Sequence, residues 1–564
     1  MRVKHSRHPA PILCALALAL SGIGVPSRAQ TVSPNAGQVL RDLPQAPLVP
    51  LPQTTPPPQA DAPAAASQPG EARFVVKRIT FSGNQELPTA ELQALLSDAD
   101  RSEQTLGQLN AIARRITAYY REKGFAVARA YLPAQDITDG LVTIAIVEGR
   151  IAGHTLANQS RLADERAQAY LGQVQDGDVV RGGRIERGLL LLQDTPGVGA
   201  SRATLQPGAS PGTSELAIDL QGAAAVNGNV TLDNYGSRYT GAYRLGANVN
   251  LASPLRIGDQ LSVSGLTSGE NLQYGRLAYQ LPVGADGLRV GAAVFDIHYK
   301  LGKEFAALQA HGTAGSGTVY ASYPFIRGPL RNLSGTVSLE DKHLNDDVDS
   351  TSTATGKTVH VGTLALSGNQ QDALGGGGVS SFDLSLVLGH LDIQSASALA
   401  LDAASARTNG SYRKLAYSAS RKQRLGDDTL MVASLAGQQA DKNLDSSEKF
   451  SLGGPNSVRA YPASEASGDT GYSATLELRQ TLLPGVQGAL FYDWGSIKVN
   501  KNPYGAAASN SRTLAGAGFG LNASVDKFDI RVSLAWRTHG GLPTSIPASA
   551  ARSPTLGIQL SLAL

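Results

Sequence analysis

From about residue 225 to the end of the chain, apolar and polar residues alternate in short runs. Between Tyr243 and Leu251 the odd-numbered positions are apolar, whereas the even-numbered positions are arginine, glycine or asparagine. The final run, Leu556 to Leu564, repeats this alternation, and glycine-rich turns such as GADG at 284–287 separate the runs. A period of two is typical of β-strands that have one apolar face. Residues 225–564 therefore predict about 340 residues of antiparallel β-structure.

Upstream, residues 73–150 combine the strand period with the helix period of 3.6. FVVKRITFSGN predicts a strand, residues 88–97 and 105–123 predict helices, and AVARAYL and LVTIAIVEGRI predict two more strands. The second helix places five apolar residues on one face: Leu106, Leu109, Ile112, Ala113 and Ile116. The predicted order is β-α-α-β-β.

The same order recurs in residues 151–224. A short strand at 151–158 precedes helices at 163–174 and 183–193, and SRATLQ and ELAIDLQ predict the closing strands. Tandem βααββ units indicate a repeated domain. We therefore expect two small α+β domains, at 73–150 and 151–224, in front of the β-rich region.

The N-terminus has the pattern of an export signal. Residues 1–29 open with three basic residues, Arg2, Lys4 and Arg7, followed by an apolar run from Ile12 to Leu20 and the small-x-small site Ser27-Arg28-Ala29, which predicts a signal peptide cleaved after Ala29. Nine apolar residues are too few to cross ~30 Å of hydrocarbon. Residues 30–72 are rich in proline, alanine and glutamine and predict a linker, in which Asn35 to Leu43 could form a short helix.

Composition then excludes several classes of protein. The single cysteine, Cys14, lies in the predicted signal peptide, so the mature chain would have no disulfide, thiol nucleophile or cysteine metal site. Cleavage removes four basic residues and no acidic one, so the net charge falls from +3 to −1 and gives no reason to expect nucleic acid. No later stretch approaches 18 consecutive apolar residues, which excludes a helical membrane protein.

Enzyme motifs are also poorly supported. The G-x-S-x-G match at 208–212 falls in a predicted hairpin turn that leads into a strand, whereas a nucleophile of this kind needs a strand-to-helix elbow. The seven histidines of the predicted mature chain have no metal-ligand spacing, and Gly375 to Gly378 precede a strand and not a phosphate-binding helix. We expect neither an enzyme nor a cofactor.

A soluble β-sandwich would show the same alternation, but three features favour a transmembrane barrel. The chain has a predicted export signal, it ends inside a strand, and its 18 tyrosines recur near strand ends, where aromatic girdles lie. At ~10 residues per strand plus turns, the segment holds roughly 16 strands. A barrel of that size should have a lumen wider than its own side chains fill.

Two segments carry the candidate functional residues. Ser451–Arg479 is rich in glycine, proline and serine, which predicts a loop, yet its centre is Val458, Arg459, Ala460 and Tyr461. In VQGALFYDWGS the alternation directs Phe491, Asp493 and Gly495 into the lumen. An inward carboxylate is a natural partner for an arginine on a loop that folds into the pore, because the guanidinium binds it through two hydrogen bonds. On spacing alone, an ordinary outer loop and a solvated lumen carboxylate remain open.

These residues carry a family resemblance. The two βααββ units resemble POTRA domains. Val458-Arg459-Ala460-Tyr461 resembles the V-R-G-[YF] tip of the inward-folded loop in the superfamily of outer-membrane assembly factors and transporters, and residues 491–495 (FYDWG) resemble its F-x-D-x-G strand motif. Asp233 to Gly265 resembles the first barrel hairpin of the two-partner-secretion transporters (TpsB; ShlB/FhaC/HecB type), and PNAGQVLRDL resembles their plug-helix region.

The resemblance implies a bacterial outer-membrane pore with periplasmic POTRA domains, which would recognise an unfolded exoprotein of adhesin or haemolysin type and move it to the cell surface without ATP. Arg459 would hold the loop against Asp493, with Phe491 and Tyr461 packed around the pair. Other expected partners are outer-membrane lipid and the barrel-assembly machinery that inserts the chain. Ala460 replaces the usual glycine, so a positive φ there would be strained. Leu564 replaces the frequent terminal phenylalanine.

Two alternatives remain. A barrel insertase of the same superfamily would share the loop and strand motifs, but the central insertase has more than two POTRA units and the proline-rich linker favours the transporter. A passive porin would need neither POTRA units nor the pair of Arg459 and Asp493, so it ranks third.

Overall fold

The computed structural model describes residues 33–44, 48–54, 73–96, 102–137, 139–172, 174–269, 271–505 and 509–564. The predicted signal peptide, residues 1–29, lies outside the described residues, as does most of the predicted linker. Within that linker, helix α1 (Ala36–Asp42) occupies the stretch expected to be helical. Asn35 begins the helix with a capping box, in which its side chain and that of Gln38 each accept a hydrogen bond from the other residue's backbone N–H.

The first α+β unit contains the predicted β-α-α-β-β order and two further strands. Its elements are β1 (Arg73–Val76), β2 (Arg78–Ser82), α2 (Thr89–Ala94), β3 (Ser102–Thr105), α3 (Leu106–Glu122), β4 (Arg129–Tyr131) and β5 (Leu141–Val147). Strands β2, β5 and β4 form one sheet, and β1 pairs with β3 separately. Helix α3 buries Leu109, Ile112 and Ile116 in the core, whereas Leu106, expected on the same face, is 43% exposed because it begins the helix at the domain surface.

The second α+β unit has the same basic architecture. Its elements are β6 (Arg150–Asn158), α4 (Asp164–Leu171), α5 (Gly182–Gln193), β7 (Val198–Pro207) and β8 (Thr213–Gly222). The sheet order is β6-β8-β7, with β6 parallel and β7 antiparallel to the central strand β8. Leu190, Leu191 and Leu192 of α5 pack in the core of this unit.

In the described part of the chain, sixteen antiparallel strands close into a barrel, which confirms the predicted fold class. Each strand pairs with its neighbour in the chain, and β26 closes on β9 through five residue pairs, from Gln559 and Asp233 to Ala563 and Asn229. The strands are β9 (Val226–Asp233), β10 (Arg244–Ala252), β11 (Gln260–Thr267), β12 (Leu272–Val283), β13 (Leu288–Lys300), β14 (Ala310–Arg327), β15 (Arg331–Val348), β16 (Thr353–Asp372), β17 (Gly378–Ile393), β18 (Gly410–Arg424), β19 (Thr429–Ala440), β22 (Thr470–Leu483), β23 (Val486–Lys498), β24 (Ser511–Val525), β25 (Phe528–His539) and β26 (Thr555–Ala563).

The alternation in sequence becomes two chemically different barrel faces. Leu339, Leu364 and Leu490 are 62%, 53% and 52% exposed on the outer wall, whereas Asp493 is completely buried inside. Strands β14 to β17 are 16 to 20 residues long, more than the ~9–11 residues needed to cross a bilayer. No helix among the described residues is long and apolar enough to span a membrane.

The second α+β unit is docked on the short-turn end of the barrel. Asp194, directly after α5, accepts hydrogen bonds from Nε and Nη2 of Arg327 at the end of β14, at 2.6 and 2.9 Å. Arg187 donates to the carbonyl of Pro324 at 2.9 Å, and Ala163 N donates to the carbonyl of Arg256 at 2.8 Å. These contacts involve the β10–β11 and β14–β15 turns, so they define the end of the barrel that carries the α+β units.

Candidate functional site

The predicted loop folds into the barrel. Residues 441–469 connect β19 to β22, and within them β20 (Phe450–Leu452) pairs with β21 (Ala466–Gly468). Gly453 and Gly454 have φ of 101° and 86°, conformations that favour glycine, and they reverse the chain directly after β20. Gly454 N then donates to the carbonyl of Tyr461 at 2.9 Å, which closes the tip of the loop. The inward loop therefore presents residues 458–461 to the barrel wall.

Arg459 contacts Asp493 at three points. Its Nε and Nη2 each donate to the carboxylate at 2.9 Å, and its backbone N donates to Asp493 Oδ2 at 3.0 Å. Thr475 Oγ1 adds a fourth hydrogen bond to Oδ1 at 3.0 Å. The Asp493 side chain has no exposed surface and that of Arg459 is 16% exposed, so the pair is held away from bulk water.

A second carboxylate completes this ion pair and was not anticipated from the sequence. Arg459 Nη1 donates to Glu477 Oε2 at 2.7 Å, and Arg479 donates to the other oxygen of Glu477 at 2.7 Å. The guanidinium carbon of Arg459 also lies 3.3 Å from the ring centroid of Phe491. The alternation in β22 predicts that Glu477 points into the lumen. Its pairing with Arg459, however, depends on the register of β22 and β23, in which Glu477 lies opposite Phe491.

The other predicted tip residues fill the space around the pair. Val458, Ala460 and Tyr461 are all buried. Ala460 has no positive φ, so the strain that a positive φ would cause in an alanine does not arise. Its carbonyl accepts from Thr555 Oγ1 at 2.9 Å. The Tyr461 hydroxyl lies 2.8 and 2.9 Å from the carbonyls of His539 and Gly541, to either of which it can donate.

Glycines on the wall make room for these side chains. A Cβ at Gly495 would lie 2.6 Å from Leu452 Cδ2, and one at Gly516 would lie 2.5 Å from the Cβ of Ala460. At Gly516 even alanine would collide with the Cβ of Ala460, which cannot turn away, whereas at Gly495 the Leu452 side chain would have to move. Gly495, predicted to face the lumen, therefore permits close packing of the loop.

Glu465 forms a second anchor of the inward loop, and we assigned it no role from the sequence. Its buried carboxylate pairs with Arg512 of β24 and accepts from Thr544 N at 2.7 Å and from Ser545 N at 3.2 Å. Thr544 and Ser545 belong to the outer connection between β25 and β26. Glu465 therefore ties the inward loop to that connection as well as to the wall.

Helix α1 lies inside the barrel against the inward loop. Ala36 N donates to Asp346 Oδ1 at 2.7 Å, and Ser446 Oγ donates to Asn35 Oδ1 at 2.8 Å. At the other end of the helix, Arg244 donates to the carbonyl of Asp42 at 3.2 Å, and Ser464 bonds the Asp42 carboxylate. The helix is thus held at both ends, by the wall and by the loop.

Lysines of the barrel wall hold the segment of the inward loop against which α1 packs. Glu448 lies 2.9 Å from Lys342 Nζ and 2.8 Å from Lys414 Nζ. Burial disfavours the charged form of Glu448, but the two ammonium groups outweigh it and lower the pKa of this carboxyl. Asp445 and Lys357 form a similar pair at 2.7 Å. Helix α1 therefore packs on a loop segment that is held by buried ion pairs.

This arrangement is suited to closing and opening a pore. The described residues contain no group of three or more histidine, cysteine or acidic side chains that could hold a metal ion. Buried ion pairs instead connect the inward loop to the barrel wall, and α1 is held to both by hydrogen bonds.

Comparison with known proteins assigns the family. The family of haemolysin secretion/activation proteins ShlB/FhaC/HecB matches residues 212–523, and the ShlB-type POTRA domain matches residues 74–149. The chain belongs to the ShlB/FhaC/HecB family. Members of this family are outer-membrane transporters of two-partner secretion, and the chain is a bacterial outer-membrane β-barrel with its POTRA region in the periplasm.

Individual relatives agree with this assignment. The heme/hemopexin transporter protein HuxB of Haemophilus influenzae (strain 86-028NP) is 30% identical over 487 residues, which cover 84% of this chain and 86% of HuxB. The outer membrane transporter CdiB of Dickeya dadantii (strain 3937) is 25% identical, with 84% of each chain covered. The solved structure of CdiB from Escherichia coli shares the fold, with a TM-score of 0.72, 20% identity and coverage of 89% of this chain and 93% of that chain.

Proposed function

We propose that this ShlB/FhaC/HecB-family barrel recognises one unfolded exoprotein in the periplasm through its POTRA domains and passes it through the lumen to the cell surface without ATP. The observation that carries the proposal is the content of the lumen. In the described residues, α1 and the inward loop occupy a sixteen-stranded barrel, and both are segments that can leave while the barrel wall stays intact. A passive porin needs no movable helix or loop in its lumen.

The exoprotein would be captured at a sheet edge of the α+β units. The second α+β unit, which we take as a second POTRA domain, has β6 and β7 at the two edges of its sheet. Strand β7 pairs with β8 from Val198 to Pro207, and no described strand pairs with its other side. An extended chain can add to such an edge through main-chain hydrogen bonds. An unfolded exoprotein would therefore bind here as an additional strand.

Transport is driven by folding outside the cell. The periplasm contains no ATP, and a folded domain would not fit through the lumen. Once a segment of the exoprotein folds at the surface, it cannot return, so each folding event makes the outward movement irreversible. For this path to open, α1 has to leave its site between Asp346 and Ser446, and the inward loop has to shift or stay at the side.

A single-cysteine variant tests the capture step. Because Cys14 lies in the predicted signal peptide, Arg202→Cys on the exposed edge of β7 would be the one thiol of the mature chain. We expect it to cross-link the secretion partner, whereas Glu186→Cys, exposed on α5, should not. Equal cross-linking at both positions would argue against strand addition on β7.

A deletion strain tests the function as a whole. Supernatant and outer-membrane proteins are compared with and without this gene. We expect one large protein to disappear from the supernatant while other barrels persist in the membrane. A joint fall of several outer-membrane barrels would instead show an insertase, and an unchanged supernatant would remove the transport function.

A further inference from the structure

The outer wall of the barrel carries an open groove that the secretion mechanism does not use. It crosses β14 to β18 and has a volume of about 1140 Å³. Its apolar part is formed by outward-facing side chains that flank two glycines: Val319, Leu339, Leu386 and Leu388 around Gly317 and Gly362. A Cβ at Gly317 would meet no atom within 4 Å, so the trough is open to the outside at this point.

One end of the groove is polar. Asp341, His360, His390, Ser411, Arg413 and Asp441 line it, and Asp441 Oδ1 accepts a hydrogen bond from the backbone N of Arg413 at 2.9 Å. Strand pairing brings them together, because His360 faces both Asp341 and His390, and His390 faces Ser411 in the next strand. In the linear sequence these residues are spread over more than 70 positions and show no motif.

The polar end lies where the hydrocarbon of the membrane ends. His360 is 12 residues before the α+β-side end of its strand at Asp372, His390 is 12 residues after Gly378, and Arg413 is 11 residues before Arg424. Twelve residues correspond to ~40 Å of strand, or about 30 Å of height at a tilt of ~40°. The apolar band of such barrels is ~25 Å tall. Counted from these strand ends, the polar end lies near the outer limit of the apolar band.

The residues at this level have the chemistry of a phosphate site. Arg413 is exposed and presents a positively charged guanidinium group. His390 Nδ1 contacts Ser411 Oγ at 3.0 Å, which leaves its second ring nitrogen to face the groove. His360 Nδ1 lies 3.4 Å from Asp341 Oδ2, so the carboxylate orients that ring. Imidazole and guanidinium groups both donate hydrogen bonds, and phosphate oxygens accept them.

One oxygen of the Asp341 carboxylate could accept a further hydrogen bond. Asp341 Oδ1 is buried and accepts no hydrogen bond from any described residue, and His343 Nε2 lies 3.5 Å away. A hydroxyl or ammonium group next to the phosphate in a lipid headgroup would supply the missing donor.

We propose that this groove is a binding site for one phosphate-bearing lipid of the outer leaflet. An acyl chain lies in the trough over Gly317 and Gly362, and the phosphate binds His360, His390 and Arg413. A lipid would place its phosphate against His360, His390 and Arg413 and its acyl chain against the neighbouring apolar side chains of the same groove. The site would fix the depth and rotation of the barrel in the membrane.

The aromatic residues support an asymmetric belt around the barrel. On the outer face of β22 to β25, Tyr472 packs on Trp494 with ring centroids 5.0 Å apart, and Phe519 packs on Trp536 at 5.9 Å. Such pairs are typical of the membrane interface.

Native mass spectrometry of the full-length protein, purified in detergent, tests the site. Dioleoyl phosphatidic acid is titrated against dioleoylglycerol, which has the same acyl chains and no phosphate. We expect the wild-type protein to retain phosphatidic acid preferentially, and the variant H360Q/H390Q/R413Q to retain it at least about tenfold more weakly, because charge-assisted hydrogen bonds are lost. His298→Gln, on the outer face of β13, is the matched control and should bind like the wild type.

Two further measurements test the site even if the triple variant does not fold. Gly317→Phe places a ring in the groove opposite Asp341, and it should reduce retention of the lipid because it fills the space for the acyl chain. On the wild-type protein, carbethoxylation of His360 and His390 should slow in vesicles that contain phosphatidic acid relative to vesicles of phosphate-free glycolipid, while His154 reacts equally in both. Equal retention of the two lipids by all proteins, equal labelling in both vesicles, or full displacement by inorganic phosphate would overturn the proposal.

Discussion

Arg459 and Asp493 form a two-pronged ion pair inside the pore, with Nε and Nη2 of the arginine each 2.9 Å from a different carboxylate oxygen. The backbone N of Arg459 binds the same carboxylate, so the position of the loop main chain is held as well as its side chain. Because Asp493 has no exposed surface, removal of Arg459 leaves its buried charge without an ionic partner, and removal of Asp493 leaves Arg459 with Glu477 alone. The pair therefore determines where the tip of the inward loop lies.

Arg459→Ala and Asp493→Ala should each impair secretion while the barrel still reaches the outer membrane. Breaking a buried pair costs about 3–5 kcal/mol, enough to release the loop but not to unfold sixteen paired strands. Secreted exoprotein is quantified in the supernatant, and folding is checked by the heat-dependent mobility of the barrel on gels. Arg238→Ala, which breaks a more exposed pair with Glu304, is the control. Normal secretion by both variants would remove the role assigned to the pair.

Glu465→Gln should loosen the outer connection between β25 and β26 while the tip of the loop stays clamped. The carboxamide cannot accept all the donors that reach this carboxylate, and hydrogen bonds to a charged group contribute about 1.5–3 kcal/mol each. We expect faster protease cleavage within residues 540–554 and a smaller loss of secretion than with Arg459→Ala. Glu304→Gln makes the same change at a more exposed pair. Cleavage at the same rate in both variants would contradict the second anchor.

Gly37→Val should displace α1 from the lumen. A Cβ at Gly37 would approach the side chain of Ser446 and lie 2.6 Å from the backbone N of Ser447. Because buried ion pairs hold this segment of the inward loop, it cannot move away easily. The measurement is single-channel conductance of the purified protein in planar bilayers, where we expect larger and more frequent openings. Gly275→Val is the matched control, because a Cβ there meets no atom within 4 Å. A conductance identical to that of the control would show that α1 does not close the pore.

Asp194→Asn should weaken the attachment of the second α+β unit to the barrel. It replaces the acceptor of two Arg327 hydrogen bonds, and the Arg327 side chain is only 3% exposed. We expect a loss of about 3 kcal/mol at this contact and faster proteolysis between residues 222 and 226. Asp176→Asn, at an exposed position of the same unit, should leave the cleavage rate unchanged. If both variants are cleaved alike, the ion pair does not hold the unit in place.

Properties that depend on neighbouring residues could be predicted from the sequence. Alternation with a period of two placed Phe491 and Asp493 on the inner face and Leu490 on the outer face, because successive side chains of a strand point to opposite sides whatever the strand pairs with. The capping box at Asn35 and the apolar spacing in α3 likewise depend only on residues that are close in the chain. The extra pairing of β1 with β3 was missed because it joins two short strands across a helix.

Residue spacing alone predicts the main helices and barrel strands, the two faces of each strand and the residue types at the tip of the inward loop. Only the tertiary structure decided which of these residues meet. The approach of Glu477 to Arg459, of Asp194 to Arg327 and of His360 to His390 depends on strand register and barrel closure. Register is a property of two strands together, and it is fixed by the simultaneous packing of many residues far apart in the chain.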